Sequence, residues 1–360
     1  MAMHVLRAAK HNRTLADEVC ERCECSLCLI CAKLVNRWTT PTSQLLESVT
    51  TRTHPPFTFA FIPADDDMQR MRQQLILEPM LTLAWHEAIW RCCQSGGGSG
   101  LVVDVGGNFG WYTLYSLALG CSVAVFEPIP AYREVLELGV SLNPGFRERV
   151  RLYPNVVYDQ PGNYSLRVPL ATGKHRKKLG MTGMAGTRGV LKTDKTAKAY
   201  THTASSVRLD DLVQRDVCLL KADVEGYEPQ VLQTAQKLLS TFSVPSLQLE
   251  LTRTNGQKDQ TCAAIKMLEH LHTLGYDFRQ VTNQLVDAPA PNGAWRAAPS
   301  SWERLPAFPT PSTLARHGPS APLRVAYLHD FTTHSTNLVG RLDPARRPAT
   351  PPPWPSLDCT

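Results

Sequence analysis

The stretch Leu101-Val102-Val103-Asp104-Val105-Gly106-Gly107-Asn108-Phe109-Gly110 decides the fold. Leu101–Val105 is a short apolar run of the kind that forms a buried strand, and Trp111–Leu119 behind it has helical spacing. Between them the glycines let the chain turn sharply and let a ligand approach the main chain. A dinucleotide fingerprint would need Gly-x-Gly-x-x-Gly to cradle a pyrophosphate. Here the order is Asp-x-Gly-x-Asn-x-Gly, with Asp104 two residues ahead of Gly106. A carboxylate there suits a ligand that carries an ammonium group and no pyrophosphate, held directly or through water. The alternative for Asp104 is a strand-end carboxylate that caps the following helix.

Outward from this turn, strands and helices alternate. Ser122–Phe126 reads as a second strand, closed by Glu127-Pro128, and Ala131–Leu142 as a helix stopped by Asn143-Pro144-Gly145. Val150–Tyr153, Val217–Val224, Leu247–Leu251 and Tyr276–Val281 read as further strands, with helices over Glu228–Leu239 and Gln260–Leu274. Asn163–Val168 is an additional strand candidate. Upstream, Phe57–Ile62 reads as a strand, and Arg70–Arg91 has helical spacing interrupted at Pro79. Strands alternating with helices imply a parallel sheet covered on both faces. Residues 57–286 are expected to hold this α/β domain. Residues 1–56 form a Cys-rich extension, and 287–360 a Pro-rich tail with one closing strand at 323–328. Fourteen of the 27 prolines lie between Pro289 and Pro355.

Glu127, at the end of the second strand, can accept hydrogen bonds from both ribose hydroxyls of an adenosine ligand. Nicotinamide enzymes use the same device, so Glu127 alone does not discriminate. Asp104 and Glu127 together, within one strand–helix–strand unit, do. Asn155, after the third strand, is a candidate for the adenine edge. In open sheets, ligands bind beyond the carboxyl ends of the strands. Asp223 and Glu225, in Leu219-Leu-Lys221-Ala-Asp223-Val-Glu225-Gly226-Tyr-Glu228, therefore face the same crevice. They are the candidate catalytic pair, placed to position a hydroxyl, act as general base or hold a divalent ion. Capping by first-turn acids is the structural alternative. His202 is a spare candidate base.

Asp104-Val-Gly-Gly-Asn-Phe-Gly110, Phe126-Glu127-Pro128, Arg208-Leu-Asp-Asp-Leu212, Lys221-Ala-Asp223-Val-Glu225-Gly226-Tyr-Glu228 and Leu249-Glu250 together resemble the FkbM-type S-adenosylmethionine-dependent methyltransferases. The resemblance covers about residues 57–285. It implies a Rossmann-like class I methyltransferase fold, a mostly parallel seven-stranded sheet with an antiparallel last strand and helices on both faces. It also implies S-adenosylmethionine as cofactor, held by Asp104, Gly106, Gly107, Asn108, Gly110, Glu127 and Asn155. The expected reaction is methyl transfer to a hydroxyl of a sugar or small metabolite, with no metal assigned. Gly107 stands where the family usually has Ala.

Composition bounds the rest. Of 360 residues 43% are apolar, enough for a sizeable core, which excludes wholesale disorder and a coiled coil. No run approaches ~18 apolar residues, so no spanning helix is expected. Between Ala171 and Tyr200, eight Lys or Arg face one acid, Asp194. This is a solvated basic insert or a patch for phosphate or acidic glycans. It lacks the aromatic interleaving of nucleic-acid binders, so nucleic acid is not the expected partner; a hydroxylated small molecule or glycan acceptor is what the resemblance implies. Methylation of RNA ribose and non-catalytic cofactor binding are the alternatives; a nicotinamide oxidoreductase is the third class. Methylation of a base amine calls for an Asn/Asp-Pro-Pro-aromatic turn, and that slot reads Asp223-Val-Glu-Gly; His54-Pro55-Pro56-Phe57 lies upstream and reads as a linker. Cys20, Cys23, Cys25, Cys28 and Cys31 have overlapping Cys-x-x-Cys spacing without a finger-like second pair. Cys121 and Cys218 read as small buried hydrophobes. Cysteine usage suggests a reducing, intracellular location, with organelle targeting left open.

Overall fold

The computed structural model describes residues 46–63, 65–94, 100–169, 183–184, 199–251, 258–281, 307–308 and 336–357. The Cys20–Cys31 cluster, most of the basic insert and the closing strand expected at 323–328 lie outside them. The principal sheet contains β3 (Leu101–Val105), β4 (Ser122–Phe126), β5 (Val150–Tyr153), β10 (Leu219–Ala222), β11 (Ser246–Leu251), β12 (Tyr276–Val281), the two-residue β13 (Ala307–Phe308) and β14 (Thr336–Leu342). Their order across the sheet is β13-β12-β14-β11-β10-β3-β4-β5. From β11 to β5 neighbouring strands run parallel, whereas β14 is antiparallel to both β11 and β12. Without the short β13 edge this is the expected seven-stranded, Rossmann-like sheet. Strand order reverses between β3 and β10, which opens a crevice at their carboxyl ends.

The antiparallel strand corrects the expected boundary at 286. It comes from Thr336–Leu342, inside the stretch read as a tail. Its apolar content is small, but Leu338 and Val339 are buried between two neighbouring strands. Gly340 allows the register, because a β-carbon there would stand 2.7 Å from the Phe278 ring.

Strand alternation sorts side chains onto the two faces of the sheet. Val102, Val123, Val125 and Leu219 join one apolar cluster. It is packed by α2 (Pro79–Gln94), α3 (Trp111–Ala118) and α4 (Pro130–Ser141). Val103, Val105, Ala124, Phe126, Leu220 and Ala222 join the other. That face carries α6 (Glu228–Gln233), α7 (Gln236–Thr241) and α8 (Lys258–Thr273). The helical pattern read over 70–91 is two helices, α1 (Asp66–Gln74) and α2, with Pro79 opening the second where its missing N–H costs nothing. A hairpin of β1 (Glu47–Thr50) and β2 (Thr58–Phe61) packs alongside, β2 against α4. A second sheet joins β6 (Val156–Val157), β9 (Ala199–Val207), β7 (Asn163–Pro169) and β8 (Gly183–Met184). The short α5 (Leu209–Leu212) leads into β10.

Reading Cys121 and Cys218 as unpaired hydrophobes is also corrected. Cys92 bonds Cys218 and Cys93 bonds Cys121. Cys218 immediately precedes β10 and Cys121 immediately precedes β4, so the end of α2 is tied to both strands that flank β3. Cys262 is disulfide-bonded as well. All five described cysteines are therefore oxidised.

Candidate functional site

The crevice at the switch point is a cavity of about 550 Å³. Its floor is the turn after β3. Gly106 has φ +85°, and a β-carbon there would lie 1.9 Å from the Asp223 carbonyl oxygen, so the two strand ends abut only because residue 106 is glycine. Gly110, at φ +88°, likewise meets Leu136 of α4 at 2.7 Å. The Gly106 and Gly107 amides donate to the Phe126 carbonyl, which binds the turn to the end of β4.

Glu127 stands on this turn and is almost wholly buried. One carboxylate oxygen accepts from the Asn108 amide at 2.8 Å, the other from the Ile129 amide at 2.8 Å. An ionised carboxylate offers about four acceptor positions, so about two remain for a ligand. Burial pushes the Glu127 pKa up to about 7, against the opposing pull of the two amides, Arg133 and Lys221. Among the described residues the Asn108 Oδ1 atom is buried with no hydrogen-bond partner, on the same cavity wall.

Asp104 is not where the sequence places it. It does not line the cavity. Asp104 and Lys221 are register partners on adjacent strands, and parity turns both toward α3. One carboxylate oxygen accepts from the Thr113 hydroxyl at 2.6 Å, and the other lies 3.2 Å from the Lys221 ammonium. Lys221 also donates to the Gly106 carbonyl at 2.8 Å and pairs with Asp223 at 3.3 Å. Burial disfavours its charge, but Asp104 and Asp223 outweigh burial and hold its pKa above the ordinary lysine value. A buried ammonium needs such partners, so Asp104 is committed to Lys221 and not to a ligand.

The remaining expected residues meet in the cavity: Gly106, Gly107, Asn108, Gly110, Glu127, Asn155, Asp223 and Glu225 all line it. The Asn155 amide nitrogen donates to Ser205 of β9, at 2.9 Å to its hydroxyl, which fixes the side chain at the cavity wall. Glu225 sits at φ +57°, in a turn held by Glu228, whose carboxylate accepts from the Val224 and Gly226 amides. Glu228 is thus a turn-former, with its pKa raised to about 7 by burial. His202 lies on β9 outside the cavity wall, with its pKa lowered by burial and by Arg133.

Sequence reasoning missed three contributors. Glu250, next to last in β11, lines the cavity beside Asp223. The rule that found Asp223, a strand's carboxyl end, would have found it. Lys221 was legible as a lone cation in an apolar strand. The segment from Asp65 to Pro79 forms a wall that includes Met68, Met71 and Glu78, and Glu78 accepts from the Tyr112 hydroxyl at 2.8 Å. Nothing in its sequence signals that position.

Residues 104–278 match the model of the methyltransferase FkbM domain. A comparison with curated proteins finds no match. Among solved structures, an FkbM methyltransferase from Methylobacillus flagellatus is similar at 17% identity and TM-score 0.29, over 42% of this chain and 33% of that one. The chain thus spans about a third of that relative's length. A COG1565 superfamily member from Burkholderia thailandensis, bound to S-adenosyl-homocysteine, is similar at 11% identity and TM-score 0.31, over 74% and 77% of the two chains. The StiE O-methyltransferase segment shares 10% identity at TM-score 0.38, over 76% and 77%. Scores this low assign no substrate. The family model and the motifs within it agree in likening residues 104–278 to the methyltransferase FkbM domain.

Proposed function

We propose that the protein transfers a methyl group from S-adenosylmethionine to a hydroxyl oxygen of a sugar or small metabolite. The observation that carries this reading is Glu127. Its carboxylate is pinned by two main-chain amides beside a glycine turn and keeps acceptor capacity for about two hydroxyls. That acceptor set fits the diol of an adenosine. The Gly106–Gly107 main chain would support the nucleoside, and Asn155 would meet the adenine edge.

Bound there, S-adenosylmethionine supplies a methyl group already activated on a sulfonium. The protein's share is alignment and removal of one proton. Asp223 and Glu225, at the far side of the glycine turn from Glu127, would hold the acceptor hydroxyl, and Asp223 would take its proton. Lys221 keeps Asp223 in place at 3.3 Å. Asp104 acts one step back, by keeping Lys221 charged. The Asp65–Pro79 wall mixes methionines with Glu78, which suits an acceptor with apolar and hydroxyl faces.

The test is transfer of isotope-labelled methyl from S-adenosylmethionine across a panel of hydroxylated glycans and small molecules. Label on an acceptor oxygen with the wild type, lost in Glu127→Ala and Asp223→Asn, supports the reading. A folded protein that binds neither S-adenosylmethionine nor S-adenosylhomocysteine refutes it.

A further inference from the structure

Asp223 and Glu250 follow the last paired residues, Ala222 and Leu249, of two adjacent parallel strands. That register sets them side by side at the carboxyl ends of β10 and β11, and both line the cavity. Asp223 is the foremost influence that raises the Glu250 pKa, as expected of two carboxyl groups on neighbouring strand ends. Two carboxyl groups this close favour holding one proton between them. Lys221 stands 3.3 Å from Asp223, which leaves Glu250 as the carboxyl that holds the proton. Asp223, burial and Glu225 all push the Glu250 pKa well up. Glu78, Tyr112 and Glu228 also bear on the pair, and Arg70 lines the same cavity. Lys221 divides its charge between Asp223 and Asp104. Acidic side chains thus outnumber the cations among the described residues that line this cavity, which favours a cationic occupant.

The cavity's standing as a ligand site rests on other features: the glycine turn and Glu127. We propose that the Asp223–Glu250 pair discriminates by charge, favouring the cationic methyl donor over the neutral product left after transfer. This rests on the donor reading given above. A sulfonium entering beside the pair stabilises its doubly ionised form, and the shared proton leaves to solvent. In the transfer step the acceptor oxygen–carbon bond forms and the sulfur–methyl bond breaks, its electron pair going to sulfur. The acceptor's proton returns to the pair. The site then holds a neutral thioether against a singly charged pair, and the preference for the occupant is gone. One carboxyl pair would thus couple donor selection, proton removal and product release.

The experiment is calorimetric titration of the wild type with S-adenosylmethionine and, separately, S-adenosylhomocysteine, in buffers of different ionisation enthalpy. Expected is proton release with the methionine compound beyond that with the homocysteine compound. The affinity ratio should favour the cation by roughly tenfold or more at alkaline pH and shrink toward acid pH. Glu127 meets the same ribose in both ligands, so its own titration cancels from that ratio. Glu250→Gln keeps the shape and the donor but has no proton to release, and its ratio should lose the pH dependence. Equal affinities at every pH, or a ratio and proton count unchanged in Glu250→Gln, would overturn the charge discrimination while leaving donor binding intact. Binding of neither nucleoside would instead remove the donor reading, and this proposal with it. The wild-type proton count needs no variant, so it decides the matter even if Glu250→Gln fails to fold.

Discussion

Lys221→Met removes an ammonium that three groups share: Asp104 at 3.2 Å, Asp223 at 3.3 Å and the Gly106 carbonyl at 2.8 Å. The methionine side chain fills nearly the same space, so the loss is electrostatic. Asp223 can turn to water, with 29% of its side chain exposed. Asp104 cannot, at 1% exposure, and is left with the Thr113 hydroxyl alone. Breaking a buried pair by removing one partner costs about 3–5 kcal/mol, because the survivor keeps an uncompensated charge. For a domain of this size, each kcal/mol moves the melting temperature by about 2–4 °C, so a drop of roughly 10 °C is expected. Asp104→Asn in the same chain removes the stranded charge, and the double variant should recover about half of the loss or more. Urea unfolding of the wild type, both singles and the double gives the coupling. Asp104→Asn alone should leave nucleoside affinity within about threefold, since Asp104 does not line the cavity. The reasoning fails if Lys221→Met costs under about 1 kcal/mol, if the two changes add without coupling, or if Asp104→Asn abolishes nucleoside binding in a fully stable protein.

Gly106→Ala brings a β-carbon to 1.9 Å from a main-chain oxygen, which cannot swing aside, at a φ that non-glycine residues rarely adopt. Circular-dichroism melts should show a large destabilisation, on the order of 2 kcal/mol or more, and calorimetry a loss of nucleoside binding. Non-reducing peptide mapping should recover Cys92 linked to Cys218 and Cys93 linked to Cys121; these close loops of 126 and 28 residues. Loss of either bridge should cost about 2–5 kcal/mol, read as a lower urea midpoint after mild reduction or in Cys93→Ser/Cys121→Ser. Glu127 and Glu228 keep their protons up to about pH 7 in the folded state, whereas the unfolded chain releases them near 4.5. The folded state therefore binds more protons across that window, and stability of the ligand-free protein should fall as pH rises through it. Glu228→Gln should flatten part of that slope in urea titrations run at successive pH values.

The centre of the fold was legible because each signal was local. Leu101–Val105, Ser122–Phe126 and Val150–Tyr153 are apolar runs bounded by turns, and the structure places strands there with the same limits. Glu127, Asp223 and Glu225 followed from one rule, that ligands meet the carboxyl ends of parallel strands. What escaped depended on pairing between distant segments. Thr336–Leu342 is a poor strand by composition and becomes one by sitting between β11 and β12. Ala199–Val207, which ends the basic insert, is a nine-residue strand because β7 pairs with it along its own length. Asp104 was misread for the same reason. Its spacing from Gly106 suggests a ligand, but its role is set by Lys221, 117 positions along the chain and directly across in register. The cysteines show the limit most plainly, since a disulfide is a statement about proximity that spacing alone does not contain.

The central claim is that one cavity holds an adenosine nucleoside with its ribose on Glu127 and its sulfur end toward Asp223. A crystal structure of the complex with S-adenosylhomocysteine tests this directly. The account predicts both ribose hydroxyls within about 3 Å of the Glu127 carboxylate, with the nucleoside lying over Gly106 and Gly107. Density for the nucleoside elsewhere, or with its ribose away from Glu127, would contradict it.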